Sequence, residues 1–251
     1  MEYHMLTGIE YVNDALEQIK IEFGQPEYCI TKLWDKYQSL LRDGLDSRER
    51  MKILIQSAVE LTTVEAPQWE MIAARLRFAK FYHELECELK NREIQDFYSK
   101  IVYLTKEGLY GSYILENYTK EEIEACEGLI DKSRDRLFSF AGLEILLNRY
   151  VIATRDHIPL ESPQEMFLGI AMHLAMKENR EVRTQWIRRF YDMLSQLKVT
   201  MATPTLSNAR KPYHQLSSCF IDTVPDSLDG IYRSLDNFAK VSKFGGGMGL
   251  Y

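Results

Sequence analysis

Val199-Thr200-Met201-Ala202-Thr203-Pro204-Thr205-Leu206-Ser207-Asn208, then Ser217-Ser218-Cys219-Phe220-Ile221-Asp222-Thr223-Val224, is the stretch where the sequence changes character. Ahead of it, apolar residues recur at helical intervals. Here they come in short, partly β-branched runs bounded by proline and hydroxyl-bearing residues. Val199–Ala202 reads as a buried strand that Pro204 ends, Ser207–Pro212 as a loop, and Ser218–Val224 as a second strand. Pro225-Asp226 marks a turn. Asp226 with Asp229 opens a helix carrying Ile231, Leu235, Phe238 and Val241, which Gly245-Gly246-Gly247-Met248-Gly249 ends. The predicted organisation is a helical region to about residue 198, followed by the opening strands of an α/β domain.

Upstream, Ile9, Val12, Ala15, Leu16, Ile19 and Phe23 predict a helix over 9–23, and Gly44 closes another near 29–43. Asp46 with Glu49, and Thr119 with Glu122, have the spacing of capping boxes. Pro67 fits a first helical turn, and the stripe Trp69, Ile72, Ala73, Leu76, Phe81 and Leu85 reads as core packing. A helix is expected over 92–106, stopping near Gly108. Asp131–Arg136 reads as a solvated face or turn of mixed charge, and Tyr150–Thr154 as a strand before a turn at His157. Ser162-Pro163-Gln164-Glu165 is a strong helix start, and a further amphipathic helix spans about 180–197.

The chain has 251 residues and a net charge of −6, enough length for a substantial core and no electrostatic reason to bind nucleic acid. A phosphate-bearing ligand must therefore be held by local donors. No apolar run approaches the roughly 20 residues that span a bilayer. The start, Met1-Glu2-Tyr3-His4, lacks the pattern of a signal peptide. The four cysteines lie far apart without CxxC spacing, so a cytoplasmic protein with reduced thiols is expected.

Among the cysteines, Cys219 stands outside any predicted helix, beside Ser217 and Ser218; Cys29, Cys87 and Cys126 lie in or at helices. Such a thiol is either packing or chemistry. Hydroxyls of Ser217, Ser218, Thr203 and Thr205, with backbone N–H groups, could hold phosphate oxygens or simply satisfy turn backbone. His214 lies in the loop ahead of Cys219 with nothing to place it as a base, and a redox pair would need a remote second thiol, such as Cys126, or one outside this sequence. The glycine run does not match a dinucleotide fingerprint, and His173 has no carboxylate or cysteine at ligand spacing.

Four blocks in fixed order resemble the large (α) subunit of ribonucleotide reductase: Ala202–Asn208, Gln215–Phe220, Asp226-Ser227-Leu228 and Ser242–Gly247. Upstream, Ala66-Pro67 through Leu76, Leu115–Thr119 and Arg189-Phe190-Tyr191 extend the resemblance to most of the chain from about residue 43. The resemblance implies a mainly α N-terminal region followed by the first strands of a ten-stranded α/β barrel, incomplete within these residues. Its divisions would be a divergent helical segment 1–43 without a clear ATP cone, a helical domain 44–198, and the barrel's start at 199–251.

By the same resemblance, Thr203, Ser218, Gly246 and Gly247 would contact substrate, and Cys219 would be one of two cysteines that reduce the ribose, its partner lying much later in the family's chains. Asp226 would contact the sugar of an ATP or deoxynucleotide effector, and helix 226–243 would form an α–α dimer. The chain itself would bind no metal; a separate, metal-containing β subunit would supply the radical, acting on ribonucleoside diphosphates. Other partners would be the remainder of the α subunit, with neither nucleic acid nor membrane involved. Alternative readings are an inert helical nucleotide- or partner-binding module, and part of a cobalamin-dependent reductase. A barrel begun but not closed would expose β edges, so self-association or docking of the complementary part is expected.

Overall fold

The computed structural model describes residues 9–251, so the reading of Met1–His4 lies outside the described residues. The helices are α1 (Asn13–Glu22), α2 (Ile30–Leu40), α3 (Ser47–Glu60), α4 (Trp69–Asn91), α5 (Phe97–Lys106), α6 (Tyr113–Asn117), α7 (Lys120–Glu127), α8 (Phe140–Arg149), α9 (Pro163–Ala175), α10 (Arg180–Ser195), α11 (Thr203–Asn208) and α12 (Leu228–Lys243). The strands are β1 (Cys219–Asp222) and β2 (Gly247–Leu250). A mainly helical chain thus ends in two parallel strands of an unclosed sheet, as expected for a helical domain leading into a barrel. The chain divides into two compact units. One holds the residues up to Glu93 with Ser133–Pro163; the other holds Ile94–Lys132 with Gln164–Tyr251.

In the first unit, α3 packs on α2 and α4, and α4 also meets α1 and α8. The expected stripe on α4 is core: Trp69, Ile72, Ala73, Leu76, Phe81 and Leu85 are all buried. The capping box of α3 is complete. Asp46 Oδ1 accepts from Glu49 N at 2.7 Å, and Glu49 Oε2 accepts from Asp46 N at 3.1 Å. Asp131–Arg136 presents a largely solvated face, but it is a helical turn with one residue directed inward. Lys132–Leu137 coils into a 3₁₀ helix, with Asp135 buried and accepting a short hydrogen bond from Tyr82 Oη. Mixed charge concealed this, because one carboxylate turns inward to a phenol while its neighbours face water.

Tyr150–Thr154 is not a strand. A single antiparallel bridge joins Ala153 to Pro159, around His157 at φ +61°. Pro159 has no N–H to extend a ladder, and Ile152 N donates 2.8 Å to the buried Glu161 carboxylate. The helix expected over 92–106 begins only at Phe97. α4 runs on to Asn91, Glu93 turns with φ +58°, and Asp96 caps α5 by accepting from Ser99 N at 2.6 Å.

In the second unit, α7 carries the predicted box, Thr119 with Glu122. Tyrosine hydroxyls satisfy buried polar groups. Tyr118 Oη donates to Met172 O at 2.6 Å; Tyr191 Oη donates to Gln164 Oε1 at 2.8 Å and accepts from Asp131 N at 2.9 Å. Lys100, 3 % exposed, reaches both Glu165 oxygens at 2.6 and 2.7 Å. Burial raises the cost of leaving either charge alone. Lys100→Ala should lose about 3–5 kcal/mol of stability. Lys100→Met combined with Glu165→Leu should recover most of that loss in urea denaturation.

Candidate functional site

The loop around Cys219 is built from two elements that sequence periodicity misassigned. Val199–Ala202 is no strand. Leu197 adopts φ +55°, and the N–H groups of Lys198 and Val199 turn back to Met193 O at 3.0 and 3.2 Å, so this segment closes α10. Pro204 then stands in the first turn of α11, where an N–H has no helical acceptor and its fixed φ suits the helix. Nor does the glycine run merely end a helix. Gly245, at φ +80°, terminates α12, and Gly247 begins β2.

β1 and β2 pair in parallel, with Cys219 opposite Gly247 and Asp222 opposite Leu250. Gly247 N donates to Ser218 O at 2.8 Å, joining the two strands at the end that bears the thiol. Parallel neighbours need a long crossover, and α12 provides it. Gly246 has no room for a side chain: a Cβ there would stand 2.7 Å from Val241 Cγ1 and 2.8 Å from Phe220 Cε2.

α11 holds the approach to β1. Thr205 Oγ1 donates to Leu216 O at 3.4 Å and Asn208 Nδ2 to Gln215 O at 3.0 Å. Thr205 is therefore buried in loop support and does not face a ligand, whereas Thr203 is exposed at the helix start. Asn208 is a supporting residue that sequence reading missed. An amide at a helix end is a local signal, but its acceptor is set by the loop's return. Arg210 is wholly buried, with Nη1 donating to Leu206 O at 2.8 Å.

The structure thus brings Ser218 and Cys219 against Gly246 and Gly247, with Thr203 on the helix that secures the incoming loop. Cys219 is exposed, and Ser218 Oγ lies 3.6 Å from its Sγ. Asp226 lies apart from this group, on the exposed connection after the opposite end of β1. It is not the helix cap: Ser227 Oγ accepts from Gly230 N at 3.1 Å, so α12 starts one residue later than the sequence suggests. Cys126 is a poor partner for Cys219. It is buried on α7, where burial pushes its thiol up to about 11, far from the thiolate that redox exchange requires. Among the described residues, no group of three or more His, Cys, Asp or Glu is arranged to hold a metal ion.

Residues 136–214 match the family described as "Ribonucleotide reductase, all-alpha domain", and residues 217–251 match "Ribonucleotide reductase, barrel domain". The chain belongs to the ribonucleotide reductase large-subunit family. It is 58% identical over 94% of its length to the ribonucleoside-diphosphate reductase subunit alpha of Treponema pallidum (strain Nichols). The subunit alpha of Helicobacter pylori (strain ATCC 700392 / 26695) is 34% identical over 83% of the chain, and ribonucleoside-diphosphate reductase 1 subunit alpha of Escherichia coli (strain K12) 31% identical over 83%. The chain spans 28%, 25% and 27% of these relatives' lengths, respectively. No helix among the described residues is long and apolar enough to cross a membrane.

In this reductase-family chain, His173 lies close to the cysteine loop. It is 6 % exposed on α9, its Nδ1 3.0 Å from Tyr113 Oη, and Tyr113 Oη donates to Ala209 O at 2.5 Å. With that proton committed to Ala209, His173 Nδ1–H is the donor of the first bond. Burial, aided by His214, lowers its pKa from 6.5 to about 4. Between those values the unfolded chain binds the proton that the folded chain refuses, so this contribution to stability is complete above pH 6.5 and shrinks as pH falls toward 4. Denaturant titrations at pH 7, 6 and 5 should show a falling midpoint that His173→Gln makes shallower.

Proposed function

We propose that the chain supplies the substrate-holding edge and one reducing thiol of a ribonucleoside-diphosphate reductase α subunit, which converts ribonucleotides to deoxyribonucleotides. The observation that carries this reading is the parallel pairing of β1 with β2, which sets Ser218 and Cys219 beside Gly246 and Gly247. Thr203 and Ser218 offer hydroxyls, and exposed Gly247 an open backbone beside Gly246, to a nucleotide's sugar and phosphates. Such donors suit an anionic ligand in a chain of net charge −6.

Cys219 is one member of a redox pair whose second thiol belongs to a later part of the α subunit. Replacing a ribose C–OH by C–H consumes two electrons and two protons and releases water; two thiols supply them and end as a disulfide. A separate metal-containing small subunit provides the radical. Support for this type, rather than a cobalamin-dependent one, comes from relatives named as α subunits of diphosphate reductases. Asp226, set apart from the thiol, accepts from the sugar hydroxyl of an ATP or deoxynucleotide effector. The domain division follows the same reading, a helical region and then the barrel's start, with the boundary drawn near 214–217, where the two family matches meet. The protein works in the cytoplasm.

α12 serves α–α dimerisation. Leu228, Ile231, Tyr232, Leu235 and Phe238 recur at helical spacing and are 41–70 % exposed, an apolar stripe suited to a second copy. The chain should sediment as a dimer or larger species, and Leu235→Glu with Phe238→Glu should shift it toward monomer. Combined with the rest of the α polypeptide and the small subunit, it should form deoxynucleotides, and Cys219→Ser should abolish turnover with dithiol reductants. Undiminished turnover in that variant would sink the assigned role.

A further inference from the structure

Tyr213 and His214 are adjacent residues in the loop that delivers Ser217-Ser218-Cys219 to β1; the Tyr213 ring stacks on one neighbour, and the His214 ring packs at a tilt against others. The Tyr213 ring lies 3.8 Å, centroid to centroid, from Phe244, at an interplanar angle of 21°. Phe244 immediately precedes Gly245-Gly246-Gly247. The His214 ring lies 4.4 Å from Tyr113 and 5.5 Å from His173. Tyr113 is itself fixed by its hydrogen bonds to Ala209 and His173.

The surroundings are tight on the Tyr113 side. A Cβ at Gly111 would stand 2.1 Å from Tyr113 Cε1 and 3.0 Å from Lys211 O, and Gly111 N donates 2.9 Å to Arg210 O. Beyond the two aromatic residues, α11 takes over through Thr205 and Asn208, which hold Leu216 and Gln215. His214 Nδ1 lies 3.2 Å from Pro212 O, which braces the ring within its own turn. The groups facing His214 from packed elements are thus Tyr113 and His173, neither a source of full charge at neutral pH. His173 stays neutral because burial disfavours its cation.

We propose that Tyr213 and His214 form a two-sided aromatic latch that positions the Ser218–Cys219 edge. Tyr213 registers the loop against the glycine turn that enters β2, and His214 registers it against the helical pair Tyr113–His173. They are positioning residues: neither needs to touch substrate, and their effect passes through the backbone of 215–218. A thiol and a hydroxyl must be held to a fraction of an ångström to act together on one ribose, and an exposed loop without such anchors does not provide that. Both rings are exposed enough to be replaced without emptying the core; Tyr213 is 46 % exposed.

The functional meaning of the latch rests on the reductase reading, but its existence is testable on the 251-residue chain alone. Peptide-resolved hydrogen exchange over 211–219 and 245–248 is measured together with iodoacetamide labelling of Cys219. Tyr213→Ala and His214→Ala should each speed exchange and labelling by about 3- to 10-fold, with helical signal and exchange over 97–106 and 120–127 unchanged. Tyr213→Phe and His214→Phe, which keep a ring, should restore rates to within about twofold of the parent. Unchanged rates in both alanine variants, or no rescue by phenylalanine, would overturn the latch. If either alanine variant loses the fold, the other carries the same test, and loss of fold in both overturns a purely positioning role. In the assembled reductase the alanine variants should lower kcat more than they raise KM. A Cys219→Ser assembly that still turns over would refute the functional reading while leaving the exchange result intact.

Discussion

The missing side chain of Gly246 is the constraint on which the β-structured end depends. Phe220 and Val241 close over that position, at distances that exclude even a methyl group. Only with glycine can the chain leave α12, turn through Gly245 and enter β2 alongside β1. The parallel register follows, and with it the placement of Ser218 and Cys219 against Gly247. The glycines therefore serve the strand pairing before they serve any ligand.

Several buried polar groups in each unit find their partners within that unit. Asp135 meets Tyr82, Glu161 meets Ile152 N, Lys100 meets Glu165, and Tyr118 and Tyr191 reach backbone and amide partners. Ahead of Cys219, Ala209 and Arg210 are buried, and beyond them the loop turns outward with Tyr213 and His214 exposed. Its side chains are engaged instead in holding its own course: Thr205 and Asn208 from α11, Tyr213 and His214 from within. An exposed thiol held by such a frame is the opposite of buried Cys126, whose environment suppresses the thiolate.

Helices announced by caps were legible. The Asp46/Glu49 and Thr119/Glu122 boxes and the Pro163 start all form where the spacing put them, because a cap is a contract between residues three apart. Short apolar runs misled. Val199–Ala202 and Tyr150–Thr154 have strand composition, yet the first pairs with no edge and turns its N–H groups back to a helix terminus, while the second gains only a single bridge, Ala153 to Pro159, and gives Ile152 N to a carboxylate. Gly247–Leu250 has poor strand composition and is a strand, because Cys219–Asp222 offers it an edge. Strand identity is a property of the pair.

The sequence by itself determined the helical grammar, the burial of the α4 stripe, and, through its ordered blocks, the reductase family and Cys219 as the candidate thiol. These rest on local spacing or on residue identity, which survive without coordinates. Tertiary structure alone decided that β2 exists, that Thr205 supports the loop while Thr203 stands exposed, that Asp226 lies apart from the thiol, and that Tyr113, His173 and His214 meet. Each of these depends on contacts between residues far apart in the chain. No periodicity encodes which distant partner a side chain will find.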